Sequence, residues 1–257
     1  LKTQPKKMIV VGSGAIGIEF AYFYNAMDTE VTVVEYQPNI VPVEDEEISK
    51  QLERSFKKVG ITIKTSTEVT KVDTSGSGVK ATIRSKDKEE VIEADIVLSA
   101  VGIKSNIENI GLEAVGISTE KDKIVVDAFY QTGVPGYYAI GDVTKGQALA
   151  HVASAEGILC VEKIAQLHVE PLDYGNIPGC TYCSPEIASV GLTEKQAIEQ
   201  GYEIKVGKFP FSANGKAKAS GHSNGFVKVI FDAKSGEWIG CPMIGPGVTD
   251  MIANALV

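Results

Sequence analysis

Apolar residues follow three rhythms along this chain. Apolar runs at Met8–Val11, within Val31–Val34 and within Ala94–Ala100 suit strands buried on both faces, as in a parallel sheet. Ile61–Lys64 supplies a further strand of this set. Ala15–Met27 reads as a helix, and Glu44–Val59 as another, with Ile48, Leu52, Phe56 and Val59 at helical spacing. The acids Glu44–Glu47 and the bases Lys57 and Lys58 stand at the ends where the helix dipole favours them, and Gly60 offers a left-handed stop. From Val69 to Ile92 the period falls to two. Val69–Asp73, Val79–Ile83 and Val91–Ile92 predict a three-stranded antiparallel meander, turning at Ser75–Gly78 and Lys86–Lys88.

Beyond Gly102 the pattern is more broken. Lys123–Val126 and Tyr137–Ile140 read as strands, the second leading into Gly141-Asp142, and Ala148–Leu167 as an alanine-rich helix whose small face must lie close to something. From about Ile177 the character is antiparallel. Ile187–Leu192 is extended, Thr193–Gln196 spells a capping box opening a helix that stops at Gly201, and Phe226–Phe231 with Trp238–Ile244 predicts a hairpin. Gly247–Val257 starts one more helix.

The first strand runs directly into Gly12, Gly14 and Gly17, a G-x-G-x-x-G motif opening the first helix, and Glu35 follows eighteen residues after its last glycine. One glycine permits the tight turn, one lets backbone approach a pyrophosphate, and one lets helix and strand pack closely. The helix N-terminus offers unpaired N–H groups to the phosphates. Glu35 can bond the adenosine ribose hydroxyls and would repel a 2′-phosphate. Tyr36–Val41 carries no positive charge, and the two arginines, Arg54 and Arg84, are distant in sequence. The expected ligand is therefore NAD rather than NADP, although FAD uses the same fingerprint.

Composition narrows the partners. A net charge of −8 argues against nucleic acid, and no stretch of eighteen apolar residues suggests a membrane span. The chain starts at Leu1, immediately before a first strand, which leads us to expect a piece of a longer chain. Cys160, Cys180, Cys183 and Cys241 lack the spacing of a zinc site, and no metal is expected; unpaired thiols fit a reducing cytoplasm. Cys180 and Cys183 form a C-x-x-C, but on a strand residues three apart face opposite ways, so a redox pair is not expected.

Five strings in order, GSGAIGIE, SAVGIKSN, YYAIGDV with ALAHVASAEG, YCSPEIASVGLTE and FPFSANGKA, resemble the flavin-dependent pyridine nucleotide–disulfide oxidoreductases. The last two are most similar to the branch that oxidises dihydrolipoamide. The resemblance implies an α/β NAD-binding domain with a parallel sheet and an antiparallel three-stranded meander over residues 1–102, the C-terminal half of an FAD domain over 103–176, and an α+β interface domain over 177–257. It implies NAD as cofactor, FAD in the full-length parent, a lipoyl-bearing protein or lipoamide as partner, and a homodimer.

Carried across position by position, Gly12, Ser13, Gly14, Ala15, Ile16, Gly17 and Glu19 resemble the loop around the pyrophosphate and nicotinamide. Glu35 resembles the ribose acid, Val69 an adenine contact and Gly102 a backbone contact opposite. Asp142 resembles the residue that bonds the flavin ribityl chain, and Ala148, Leu149, Ala150 and His151 the backbone beside the isoalloxazine ring. The family's C-x-x-x-x-C disulfide, its flavin phosphate loop and its His-x-x-x-x-Glu pair are not found, so no catalytic residue is expected in this chain and it should be inactive alone. Cys183 stands where relatives carry Thr, and Ile103-Lys104-Ser105 replaces a basic-proline stretch. Alternatives are another member of the family, such as a mercuric reductase, and a stand-alone NAD-binding sensor or assembly module.

Overall fold

The computed structural model describes residues 1–256. The chain forms two compact units, one of Leu1–Gly102 together with the residues from Pro178 onward, the other of Ile103–Ile177.

The first unit opens with β1 (Lys7–Val11), α1 (Ala15–Ala26), β2 (Glu30–Val34), α2 (Glu46–Lys58) and β3 (Thr62–Lys64). The meander β4 (Glu68–Asp73), β5 (Val79–Ser85) and β6 (Lys88–Ala94) follows, and then β7 (Ile96–Ser99). Four strands pair in parallel in the order β3-β2-β1-β7. The apolar runs are continuous because both faces of this sheet are covered. Met8, Val10, Val31 and Val33 meet Ile18 and Ala21 of α1 and Ile48, Leu52 and Phe56 of α2. Ile9 and Val34 turn the other way, onto Ala81, Ile83 and Ala94 of the meander. The second helix begins later than its periodicity suggests, because Asp45 is its N-cap and accepts from the Glu47 amide at 3.0 Å.

The second unit is short of regular structure. It holds a two-stranded ribbon, β8 (Thr119–Glu120) and β9 (Lys123–Ile124), and the helix α3 (Ala150–Ile164). A small core gathers Ile107, Leu112, Ile117 and Ile124. The strand expected at Tyr137–Ile140 does not form: one bridge joins Gln131 to Tyr138, and the chain then enters a 3-10 turn at Gly141–Val143. The pairing with Tyr130–Thr132 stops there, after the Thr132 amide bonds the Tyr137 carbonyl and the Ala139 amide the Tyr130 carbonyl, which is too short a ladder to make a strand. The small face of α3 does have its neighbour. A Cβ on Gly157 would lie 3.2 Å from Ile140, and one on Gly141 3.1 Å from Ala153.

The chain re-enters the first unit with β10 (Gly179–Thr181), β11 (Glu186–Gly191), α4 (Glu194–Glu199), β12 (Ile204–Pro210), α5 (Gly215–Ala219), β13 (Phe226–Asp232), β14 (Trp238–Gly245) and α6 (Val248–Met251). The expected capping box at Thr193 and Gln196 is present. The final helix is shorter than expected, four residues followed by a 3-10 turn at Ile252–Ala255, and Val257 lies outside the described residues. The antiparallel sheet runs β10-β11-β14-β13-β12. Its two faces alternate as the sequence requires. Ile187, Phe226 and Ile244 join the core of Met8 and Val10, whereas Ala188, Val190, Cys241 and Met243 pack with Phe211, Val248 and Ile252.

A buried ionic cluster ties the antiparallel sheet to the starts of α2 and α4. Lys228 on β13, 1% exposed, pairs with Asp45 at 2.8 Å, Glu47 at 3.1 Å and Glu194. Burial alone would lower the Lys228 ammonium, but these carboxylates outweigh it and hold its pKa above the usual lysine value. Beside this cluster, Glu44 meets Ser189 of β11 at 3.2 Å, and its other carboxylate oxygen is buried without a partner. Burial lifts the Glu44 carboxyl to about 7, against the smaller opposing effect of Ser189. Among the described residues, no helix is long and apolar enough to cross a membrane.

Candidate functional site

At the carboxyl ends of β1, β2 and β7 a cleft of about 500 Å³ opens, with Gly12, Ser13, Gly14, Glu35, Val69 and Gly102 among its walls. These six positions come from the turns after β1, β2 and β7 and from the start of β4, so the fold brings them together. The three glycines of the motif differ in what excludes a side chain. Gly12 has φ +94°, and a Cβ there would sit 2.4 Å from the Ala100 carbonyl oxygen. A Cβ on Gly17 would sit 2.1 Å from the Gly12 carbonyl oxygen. Gly14 has an ordinary φ of −65°, and a Cβ there would meet nothing within 4 Å. The protein's own packing therefore accounts for Gly12 and Gly17 but not for Gly14, which borders open space.

Gly14 is also the N-cap of α1, with no side chain capping the helix and no acid in its first turn. The first amides of a helix lack intrahelical partners and carry the positive end of its dipole. Here no side chain among the described residues caps them.

Glu35 follows the end of β2 and is 7% exposed. Its Oε2 accepts from the amide and hydroxyl of Ser13 at 2.8 and 2.7 Å, and its Oε1 accepts from the Gln37 amide at 2.7 Å. These bonds clamp the glycine loop to the end of β2 and fix the direction of the carboxylate. Sequence reasoning missed two members of this corner. Gln37 orients Glu35, and Thr67, which lines the cleft, bonds its amide to the Glu35 carbonyl at 2.9 Å. Arg84 is far from Glu35 in sequence but pairs at 2.8 Å with Glu68, another cleft residue, and Lys64 pairs at 2.8 Å with Glu90. Both cations near this corner are thus matched by acids.

Ala15, Ile16, Gly17 and Glu19 continue along α1 and do not line the cleft. Ile16 is half exposed, and Glu19 accepts from the Tyr182 amide at 2.9 Å.

In the second unit Asp142 sits on the 3-10 turn after Ile140. Its carbonyl accepts from Ser105 Oγ at 2.8 Å and Lys123 Nζ at 2.6 Å, while its carboxylate is exposed and bonds no group among the described residues. Ala148 precedes α3, Leu149 is its N-cap without a capping side chain, and Ala150 and exposed His151 form its first turn.

All four cysteines are free. Strand β10 ends at Thr181, so the C-x-x-C spans a strand and a turn rather than one strand. The two thiols nevertheless enter different cores, Cys180 beside Val190 and Met243, Cys183 beside Ile18 and Ile187. Burial, reinforced by Glu19 and Glu186, pushes the Cys183 thiol up to about 12, and burial first of all raises Cys180 too. Neither is a thiolate nucleophile near neutral pH.

Residues 1–157 match the pyridine nucleotide-disulphide oxidoreductase family, and residues 177–257 match the dimerisation domain of the same family. The chain is 52% identical over 255 residues to dihydrolipoyl dehydrogenase of Rhizobium etli, covering 98% of this chain and 53% of that protein. It is 48% identical to the enzyme of the same name from Zymomonas mobilis, covering 98% of this chain and 55% of the relative. The crystal structure of LpdA from Mycobacterium tuberculosis superposes with a TM-score of 0.91 at 30% identity, over 100% of this chain and 55% of that one. The flavoprotein disulfide reductase RclA of Escherichia coli superposes with a TM-score of 0.90 at 25% identity, over 100% and 58% of the two chains. The chain thus spans about half the length of the curated relatives it matches. On sequence and fold together, it belongs to the pyridine nucleotide-disulphide oxidoreductases.

Proposed function

We propose that this chain carries the NAD-binding cleft and the dimer-forming sheet of a dihydrolipoyl dehydrogenase, with part of its FAD-binding region between them. Gly14 is the observation that carries the first part. A glycine whose Cβ would meet only open space, at the uncapped start of a helix, fits a cradle for a pyrophosphate. Bound there, NAD supplies the hydride acceptor of the reaction. The chain's own residues bind and orient it. The first amides of α1 hold the pyrophosphate, and Glu35, preset by Ser13 and Gln37, takes the ribose hydroxyls with the lone pairs those bonds leave free. Val69 and Gly102 flank the adenosine from opposite walls. Further along α1, Ile16 and Glu19 face the nicotinamide end.

Asp142 suits a flavin's ribityl chain for a similar reason. The backbone around it is bonded on both sides while its carboxylate is unclaimed. Ala148–His151 would then border the flavin ring. The identity to dihydrolipoyl dehydrogenases supports dihydrolipoamide, free or on a lipoyl-bearing protein, as the substrate class of the whole enzyme. Residues 177–257 support a homodimer.

Calorimetric titration tests the cofactor reading. NADH should bind more tightly than NADPH, and Glu35→Ala should weaken NADH by roughly 1–3 kcal/mol, the worth of a charge-assisted hydrogen bond. Equal or reversed affinities in the unaltered chain overturn it. With dihydrolipoamide, NAD and added FAD this chain alone should show no turnover above buffer, because its thiols are free, at least half-buried and, for Cys180 and Cys183, set in different cores. Turnover abolished by Cys183→Ser would refute that expectation.

A further inference from the structure

Glu156 on α3 is 1% exposed, and among the described residues no cation pairs with it. A buried carboxylate without a cation is costly unless hydrogen bonds satisfy it. Two do. Its Oε2 accepts from the Gly141 amide at 2.6 Å and its Oε1 from the Tyr174 hydroxyl at 2.5 Å; the Tyr174 hydroxyl in turn lies 3.2 Å from that of Tyr130. Burial, then the neighbouring Glu156, raises the Tyr174 phenol far above the usual tyrosine value, so it stays a donor.

The amide that Glu156 holds is the entry to the Asp142 turn. Gly141 has φ +71°, and its carbonyl accepts from the Thr144 amide at 2.8 Å and the Thr144 hydroxyl at 2.9 Å. Ser105 and Lys123 hold the Asp142 carbonyl. With the Gly141 amide and both carbonyls of Gly141 and Asp142 held, the Asp142 carboxylate is bonded to no group among the described residues. We propose that Glu156 is a positioning residue for Asp142: its buried carboxylate, held by Tyr174, pins the Gly141 amide and so aims the Asp142 carboxylate at the hydroxyls of the flavin's polyhydroxylated chain. This rests on reading Asp142 as a flavin contact.

Amide NMR of the full chain tests it. In Glu156→Gln a neutral acceptor replaces a charged one, so the Gly141 amide proton should move upfield and its exchange quicken by about tenfold. The Val152 and Cys160 amides of the same helix should stay in place. Tyr174→Phe, which removes only the phenol donor, should move Gly141 the same way by less, and it carries the test should Glu156→Gln fail to fold. FAD added to the unaltered chain should shift the Gly141–Thr144 resonances, and Glu156→Gln should weaken that response. A Gly141 amide indifferent to the folded variants overturns the positioning role. A Gly141 amide that responds to them, in a chain whose 141–144 resonances ignore FAD, overturns the flavin reading and leaves the pinning intact.

Discussion

Helices α1 and α2 pack on the same face of the parallel sheet and begin in opposite ways. At α2, Asp45 caps the Glu47 amide, Glu46 and Glu47 fill the first turn, and Lys228 neutralises the acids from behind. At α1 no side chain caps the helix and its first turn holds no acid; the nearby Glu35 carboxylate bonds Ser13 and Gln37 rather than the helix, and Gly14 borders open space. The unpaired amides are the same in both helices. Where the chain supplies their partners, the helix start is structure; where it withholds them beside a cleft, the helix start is available for a ligand. The two ends should therefore respond differently to mutation, one in stability and the other in affinity.

The largest effect is expected at the closed end. Lys228→Ala leaves three carboxylates facing one another around a buried site and should cost roughly 3–5 kcal/mol of stability, with NADH affinity in the surviving folded fraction unchanged. Chemical denaturation beside calorimetric titration separates the two quantities, and a loss of affinity equal to the loss of stability would erase the contrast.

Next to that cluster, Glu44 makes the closed end sensitive to pH. Its folded pKa of about 7 exceeds the ordinary glutamate value of 4.5, so the fold binds a proton that the unfolded chain has released. That contribution is complete below pH 4.5 and is lost as pH rises through 7. Glu44 should thus remove up to about 3 kcal/mol of stability across this window. Glu44→Gln should flatten that part of the stability–pH curve in denaturation experiments; an unchanged slope would mean that the buried oxygen finds a partner.

A smaller pair of effects divides the open end itself. Gly17→Ala forces a methyl against the Gly12 carbonyl and should destabilise by about 1–3 kcal/mol. Gly14→Ala should cost under about 1 kcal/mol of stability, the scale of an N-cap change. Its methyl would nevertheless stand where the pyrophosphate must come, so NADH affinity should fall by at least about tenfold, or 1.4 kcal/mol. If Gly14→Ala binds NADH normally, the open space at Gly14 is not the phosphate cradle.

The features legible in the sequence are those decided over short stretches. Runs, alternation and helical spacing gave the parallel sheet, the meander, the capping box at Thr193 and the Phe226–Ile244 hairpin, because each depends on nearby neighbours, whereas the strand at Ile204–Pro210 went unread. The glycine loop and Glu35 were legible as a motif for the same reason. What lay beyond reach was chemistry assembled from distant positions. Lys228 reads as one polar residue in an alternating strand, and only its meeting with Asp45, 183 residues away, makes it a buried ion. Glu156 looks like a solvated acid on an alanine-rich helix until Tyr174 and the Gly141 amide close over it. Tyr137–Ile140 misled for the converse reason, since its local pattern does not reveal that its partner, Tyr130–Thr132, pairs with it over a single bridge.

The core that unites Met8 and Val10 with Ile187, Phe226 and Ile244 has a consequence for the order of events during synthesis. The first 102 residues emerge from the ribosome with their meander and parallel sheet available for pairing, yet part of their apolar surface has no cover until residues beyond Pro178 appear. At about 5–20 residues per second, that interval is on the order of several seconds to a quarter of a minute. During it the nascent chain exposes a greasy face and must close a very long loop to hide it, the kind of non-local contact that folds slowly and recruits chaperones.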